Sequence, residues 1–219
     1  MMLCTYELAK DLYTKSNSTI VISNNKLNWL EMKAEIKILK FLISNKEELF
    51  TIKKISERTK INYRIAYEKI FSLEKEGLVK VTKTGNTKIC KFTNKFNNKV
   101  FEAEYERRED LFKNKTFLVL YRRLFELQFP FIALLFGSCA RGEITKHSDI
   151  DLLTIGRDEK EIESVISRWP EKIHLTSMTC KDFIHMMKSK EFTVVSEAIK
   201  NNIILIGIEE YYRLLENVG

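Results

Sequence analysis

Proline is scarce in this chain, with two among 219 residues, and nothing in the composition marks a disordered protein. With 44% hydrophobic and 31% charged residues, the chain can build a core. Paired cysteines are missing too. Cys4, Cys90, Cys139 and Cys180 stand 86, 49 and 41 residues apart, with no CxxC pair and no cysteine–histidine cluster. That spacing excludes a zinc-finger type of site and a disulfide framework, and leaves reduced, partly buried thiols. Long hydrophobic runs are absent. The longest, Phe129 to Phe136, contains Pro130 and falls far short of the roughly 20 residues that cross a bilayer. The start, MMLCTYELAKDLYTK, is charged too early and too often for a signal peptide. The expectation is a soluble, cytoplasmic protein with no membrane partner.

What is present is an uneven charge. Residues 26–100 hold 18 Lys+Arg against 8 Asp+Glu, whereas residues 101–219 hold 17 against 20. A basic first half joined to a mildly acidic second half suggests two domains with different partners, the basic one suited to a polyanion.

Within the basic half, Met32, Ile36, Leu39 and Ile43 recur at helical spacing and predict a helix over about 30–44. Thr51 precedes a short helix, IKKISERT. Asn62 is placed as the N-cap of a third helix that carries Ala66, Ile70 and Leu73 on one face and stops at Gly77. A hairpin follows, with Val79 and Val81 alternating with lysines and Thr84-Gly85-Asn86 at the turn. Helix, short helix, helix and lysine-tipped hairpin, with the passage Glu-Lys-Glu-Gly-Leu-Val between the last two, resembles the winged helix-turn-helix domain. The resemblance implies duplex DNA contact: Asn62, Tyr63, Arg64 and Tyr67 at the leading end of the third helix in the major groove, and Lys80, Lys83, Lys88 and Lys91 on phosphates. A palindromic target would imply a homodimer, to which residues 1–25 are free to contribute.

The junction FTNKFNNKVFEAEYERREDLFKNK has Phe96, Val100 and Ala103 ahead of a charge-dense stretch. It predicts a connecting helix whose charges form a solvated face. A further helix carrying Phe117, Leu120, Leu124 and Leu127 leads to Pro130.

From Phe131 the pattern changes. FIALLFG is a buried strand, CARGEI a short helix, SDIDLLTIG a second strand and KIHLTSM a third, with helices between them and a last strand, IILIG. Side chains alternate along a strand, so Asp149 and Asp151 share a face while Ile150 and Leu152 take the other. Two like charges that close are costly unless something bridges them. A divalent cation does so, and magnesium favours one or two carboxylates together with substrate phosphate oxygens. Gly137 lets the backbone approach a ligand, and Ser138 offers a hydroxyl beside backbone N–H groups. Phosphate on one side and metal on the other describe a nucleoside triphosphate site.

Gly137-Ser138, ten further residues and then Asp149-Ile150-Asp151-Leu152, with Ala140-Arg141-Gly142-Glu143 between, resembles the DNA polymerase β-like nucleotidyltransferases, and among them the minimal branch of archaea and bacteria. The resemblance covers about 117–217. It implies that Asp149 and Asp151 bind Mg²⁺ or Mn²⁺, that Gly137 and Ser138 cradle the phosphates of an NTP such as ATP, that Arg141 neutralises phosphate charge and that Ser148 orients the metal-binding strand. Active members usually add a third carboxylate on a neighbouring strand. Here that position is His174, while Glu171 falls on the opposite face and Asp182 beyond the strand's end.

The expected fold class is α+β: a segment of unassigned role (1–25), a winged helix domain (26–95), a connecting helix (96–116) and a nucleotidyltransferase-like mixed β-sheet flanked by helices (117–219). Three functions follow. The first is a Mg²⁺-dependent transfer of a nucleoside monophosphate to a protein or nucleic-acid hydroxyl. The second is a DNA-binding regulator that only senses nucleotide. The third is an antitoxin-like protein acting on a helical partner toxin.

Overall fold

Ile36, Leu39 and Ile43 are inward on a first helix, α1 (33–44), as their spacing predicts. The computed structural model describes residues 33–143, 149–156, 159–189 and 194–216. Thr51 closes a two-residue strand, β1 (Phe50–Thr51), and its hydroxyl accepts from Lys54 N at 3.1 Å, starting α2 (Ile52–Thr59). Asn62 caps α3 (Tyr63–Lys75) by accepting from Arg64 N at 2.9 Å. Ala66, Ile70 and Leu73 of α3 are fully buried, and Gly77, at φ +76°, ends the turn after it. The hairpin is β2 (Val79–Thr84) and β3 (Thr87–Phe92), and β1 pairs antiparallel with β3, giving a sheet ordered β1-β3-β2.

α4 (Asn98–Leu111) and α5 (Lys115–Phe125) follow, each started by an asparagine cap, Asn97 and Asn114. β4 (Ile132–Phe136) is buried throughout and runs into a one-turn helix, α6 (Gly137–Arg141). The rest is β5 (Ile150–Ile155), α7 (Glu159–Ile166), β6 (Ile173–Met178), α8 (Cys180–Ser189), α9 (Val194–Lys200), β7 (Asn202–Ile206) and α10 (Ile208–Glu216). The second sheet is ordered β6-β5-β4-β7: β4 is antiparallel to β5 and β7, and β5 is parallel to β6. The whole is a mixed α+β fold. No helix among the described residues is long and apolar enough to cross a membrane.

One expectation about the junction is overturned. The charges of α4 are not all solvated: Glu104 and Arg107 are 1% and 5% exposed. Arg107 pairs with Glu104, donates to Ser44 Oγ at 2.9 Å and reaches the carbonyl of Asn202, while Tyr212 donates to Glu104 at 2.7 Å. Next along the helix, Arg108 donates to the carbonyl of Leu205 at 3.0 Å. Both carbonyls belong to β7, the outer strand of its sheet. Two successive arginines therefore satisfy an edge that would otherwise expose backbone acceptors. Burying such charges is costly unless every one is paired, and here the pairing is dense. One core cluster runs continuously from Ile36 and Ile70 through Ala103 to Ile132, Ile204 and Tyr212.

Candidate active site

The start of β5 lies between the end of β4 and the start of β6. Ile150 and Leu152 point into the core at 4% and 0% exposed, so Asp149 and Asp151 emerge on the other face, with side chains 39% and 30% exposed. Phe136, the last residue of β4, is in register with Asp151, which brings the turn after it against the second acid. Gly137 there has φ +65°, and a Cβ at this position would lie 2.3 Å from Asp151 Oδ2. A side chain here would be strained by the backbone conformation and would press on the Asp151 carboxylate. Cys139, one turn on, is buried and its thiol donates to the Asp149 carbonyl at 3.9 Å, tying α6 to the acid strand. Burial raises the Cys139 pKa, so the group remains a thiol.

β6 supplies the other wall. His174 is in register with Asp151, its Nε2 3.4 Å from Asp149 Oδ2 and its Nδ1 3.5 Å from Asp151 Oδ1. Lys172 Nζ is 3.1 Å from the same Asp149 oxygen. His174 thus comes against both acids from the neighbouring strand. Glu171 and Asp182 do not: Glu171 lies 3.4 Å from Thr116, and Asp182 accepts from Thr179 at 2.7 Å at the start of α8. Lys172 was not singled out from the sequence, although the same two-residue alternation that pairs Asp149 with Asp151 pairs Lys172 with His174.

Ser138 stands half-buried beside Gly137. Arg141, at the end of α6, is 43% exposed and pairs with Glu143 at 2.9 Å and Glu197 at 3.8 Å. The hydrogen bond it donates to Glu143 holds its pKa above the usual value. Ser148 lies outside the described residues.

Among the described residues no group of three or more His, Cys, Asp or Glu side chains forms a ready metal cage. A carboxylate pair fits a hard divalent cation nonetheless, since such an ion takes its remaining oxygens from substrate and water. The two acids share a face, keep solvent access and lean on Lys172 and His174 through exposed contacts that are weak and readily exchanged.

The residues expected at a DNA surface are dispersed in their engagement. Asn62 is spent on its cap, and Arg64 Nε pairs with Glu68 at 3.2 Å. Lys88 donates to Tyr67 Oη at 2.5 Å and lies 4.5 Å and 4.7 Å from the ring centres of Tyr67 and Phe71. Tyr63 is 52% exposed, and Lys80, Lys83 and Lys91 are exposed along the hairpin.

The family model described as Polymerase beta, Nucleotidyltransferase matches residues 124–211, a span that contains Gly137, Asp149, Asp151 and His174. No curated protein and no solved structure gives a significant match. The segment 124–211 is thus similar to a nucleotidyltransferase domain, and nucleotidyl transfer is what that family's description names.

Proposed function

We propose that the chain transfers a nucleoside monophosphate from a nucleoside triphosphate, ATP in the first instance, to a hydroxyl of a protein or nucleic acid. The observation that carries this reading is the fit of Gly137 against Asp151. The absence of a side chain there lets the Asp151 carboxylate lie directly against the turn, so that the Gly137-Ser138 backbone and the two carboxylates form one surface. Asp149 and Asp151 would hold Mg²⁺ or Mn²⁺, which when bound supplies stabilisation of the charge on the reacting phosphate. Gly137 and Ser138 cradle the outer phosphates, and Arg141 adds a cation to the same anion. The acceptor oxygen bonds to the α-phosphorus, the bond to the bridging oxygen breaks and pyrophosphate leaves. His174 takes the proton of the acceptor hydroxyl on a ring nitrogen.

The first three helices and the three-stranded sheet β1-β3-β2 support a winged-helix arrangement for the N-terminal half, proposed to contact nucleic acid. A second reading, a regulator that senses nucleotide with weakened catalysis, is favoured by one observation: Lys172 and His174 of the β6 side already stand against the acids, at 3.1 Å and 3.4–3.5 Å. Incubation with α-labelled ATP, Mn²⁺ and candidate acceptors decides between them. Label transfer that disappears in Asp149→Asn and Asp151→Asn supports the enzyme. Nucleotide binding with no transfer by the wild type supports the regulator.

A further inference from the structure

Tyr63, Tyr67 and Phe71 follow one another at four-residue steps along α3, and their rings form a ladder, with centres 6.3 Å and 4.8 Å apart. The ladder faces the hairpin, where Lys88 is held over Tyr67 and Phe71. Between the leading end of α3, the start of α2 and the hairpin tip lies a concavity of about 390 Å³, lined among others by Thr51, Lys53, Tyr63, Tyr67, Asn86 and Lys88. It combines an exposed aromatic face, two cations and three small polar groups. That is the composition that grips one unpaired base with its backbone phosphate, because every base offers a π-face and every phosphate a charge.

The outer face of the same helix is poorly made for a duplex. Its leading cation, Arg64, is paired with Glu68, so a carboxylate stands in the middle of that face. Ile65 beside it is 43% exposed and offers no hydrogen bond to a base edge.

We propose that this concavity binds an unpaired base of a single-stranded nucleic acid, stacked on Tyr63, with Lys53 and Lys88 facing its phosphates. The proposal concerns binding alone and does not depend on nucleotidyl transfer, so it is tested without nucleotide or metal.

Fluorescence anisotropy of the full chain is measured with labelled oligo(rU), oligo(dT) and a labelled DNA duplex of equal length, at one fixed salt concentration. Either single strand should bind more tightly than the duplex, and the two arms show whether the sugar matters. Tyr63→Ala removes a half-exposed ring and should weaken the single strand by about 5- to 150-fold, the range of one lost stacking contact, with little effect on the duplex. Tyr63→Phe keeps the ring and should restore the affinity. Tighter duplex binding would overturn the proposal in favour of groove recognition. Equal losses on both substrates in Tyr63→Ala, or no single-strand binding at all, would overturn it as well.

Discussion

Gly137→Ala isolates the contact on which the active-site reading turns. Alanine at a φ of +65° costs roughly 1–2 kcal/mol, because the left-handed region presses Cβ on the neighbouring carbonyl. For a chain of this length that corresponds to a fall in Tm of about 2–8 °C, a variant that still folds at room temperature. The second effect is local. The added carbon would sit 2.3 Å from Asp151 Oδ2, where real contacts begin near 3.0 Å, so the carboxylate or the turn must move by about 0.7 Å. A displacement approaching 1 Å at a reacting group costs on the order of 10²-fold in rate. The expected pattern is thus a small stability change with a large loss of label transfer. The melt is followed by circular dichroism, and transfer from α-labelled ATP is followed at 20 °C, with wild type alongside. Wild-type transfer by a folded Gly137→Ala protein would refute the claim that the close fit of the turn against Asp151 positions the reacting groups.

Three further outcomes follow from the same geometry. Lys46 is buried with no hydrogen-bond partner for its ammonium among the described residues, and burial lowers its pKa to about 8. The unfolded chain then binds more protons than the folded one between about pH 8 and 10.5, so stability rises with pH across that window. Lys46→Met should flatten that rise and raise Tm at pH 7, by the equivalent of roughly 3 kcal/mol at most; a variant whose Tm still climbs from pH 8 to 10 would place the cause elsewhere. Glu104→Gln leaves the buried Arg107 without its carboxylate and should cost about 3–5 kcal/mol in urea unfolding; a loss near zero would mean that water reaches the pair. Lys172→Met removes a cation 3.1 Å from Asp149 and should tighten Mn²⁺ binding about two- to fivefold, the worth of an exposed ion pair. Unchanged or weaker binding by calorimetry would deny that the two cations compete.

The parts of this fold that could be read in advance are those governed by neighbours in sequence. Thr51 and Asn62 cap their helices because the accepting oxygen and the donating N–H are two or three residues apart. Asp149 and Asp151 share a face because the strand repeat is two. The charges of α4 behaved otherwise, since what decides their burial lies far along the chain. Arg107 is satisfied by Ser44 and Asn202, 63 and 95 residues away. No local pattern separates a glutamate in solvent from one that meets Tyr212 across 108 residues. The edge strand that needed those arginines was itself legible as IILIG, but its place at the edge of the sheet was not.

The site shows the same division, with one consequence for how it would bind. The parallel register sets Asp151 against His174, and the shared alternation then brings Lys172 to Asp149. An acidic pair on one strand is thereby matched by Lys172 and His174 on the next, and the acids rest against side chains of the chain itself. A cation arriving alone must displace those contacts and leave Lys172 without its partner. A cation arriving with a triphosphate also brings new anions for the side chains it displaces. The arrangement therefore favours metal and nucleotide binding together over either binding first, whether the bound complex goes on to react or only to signal.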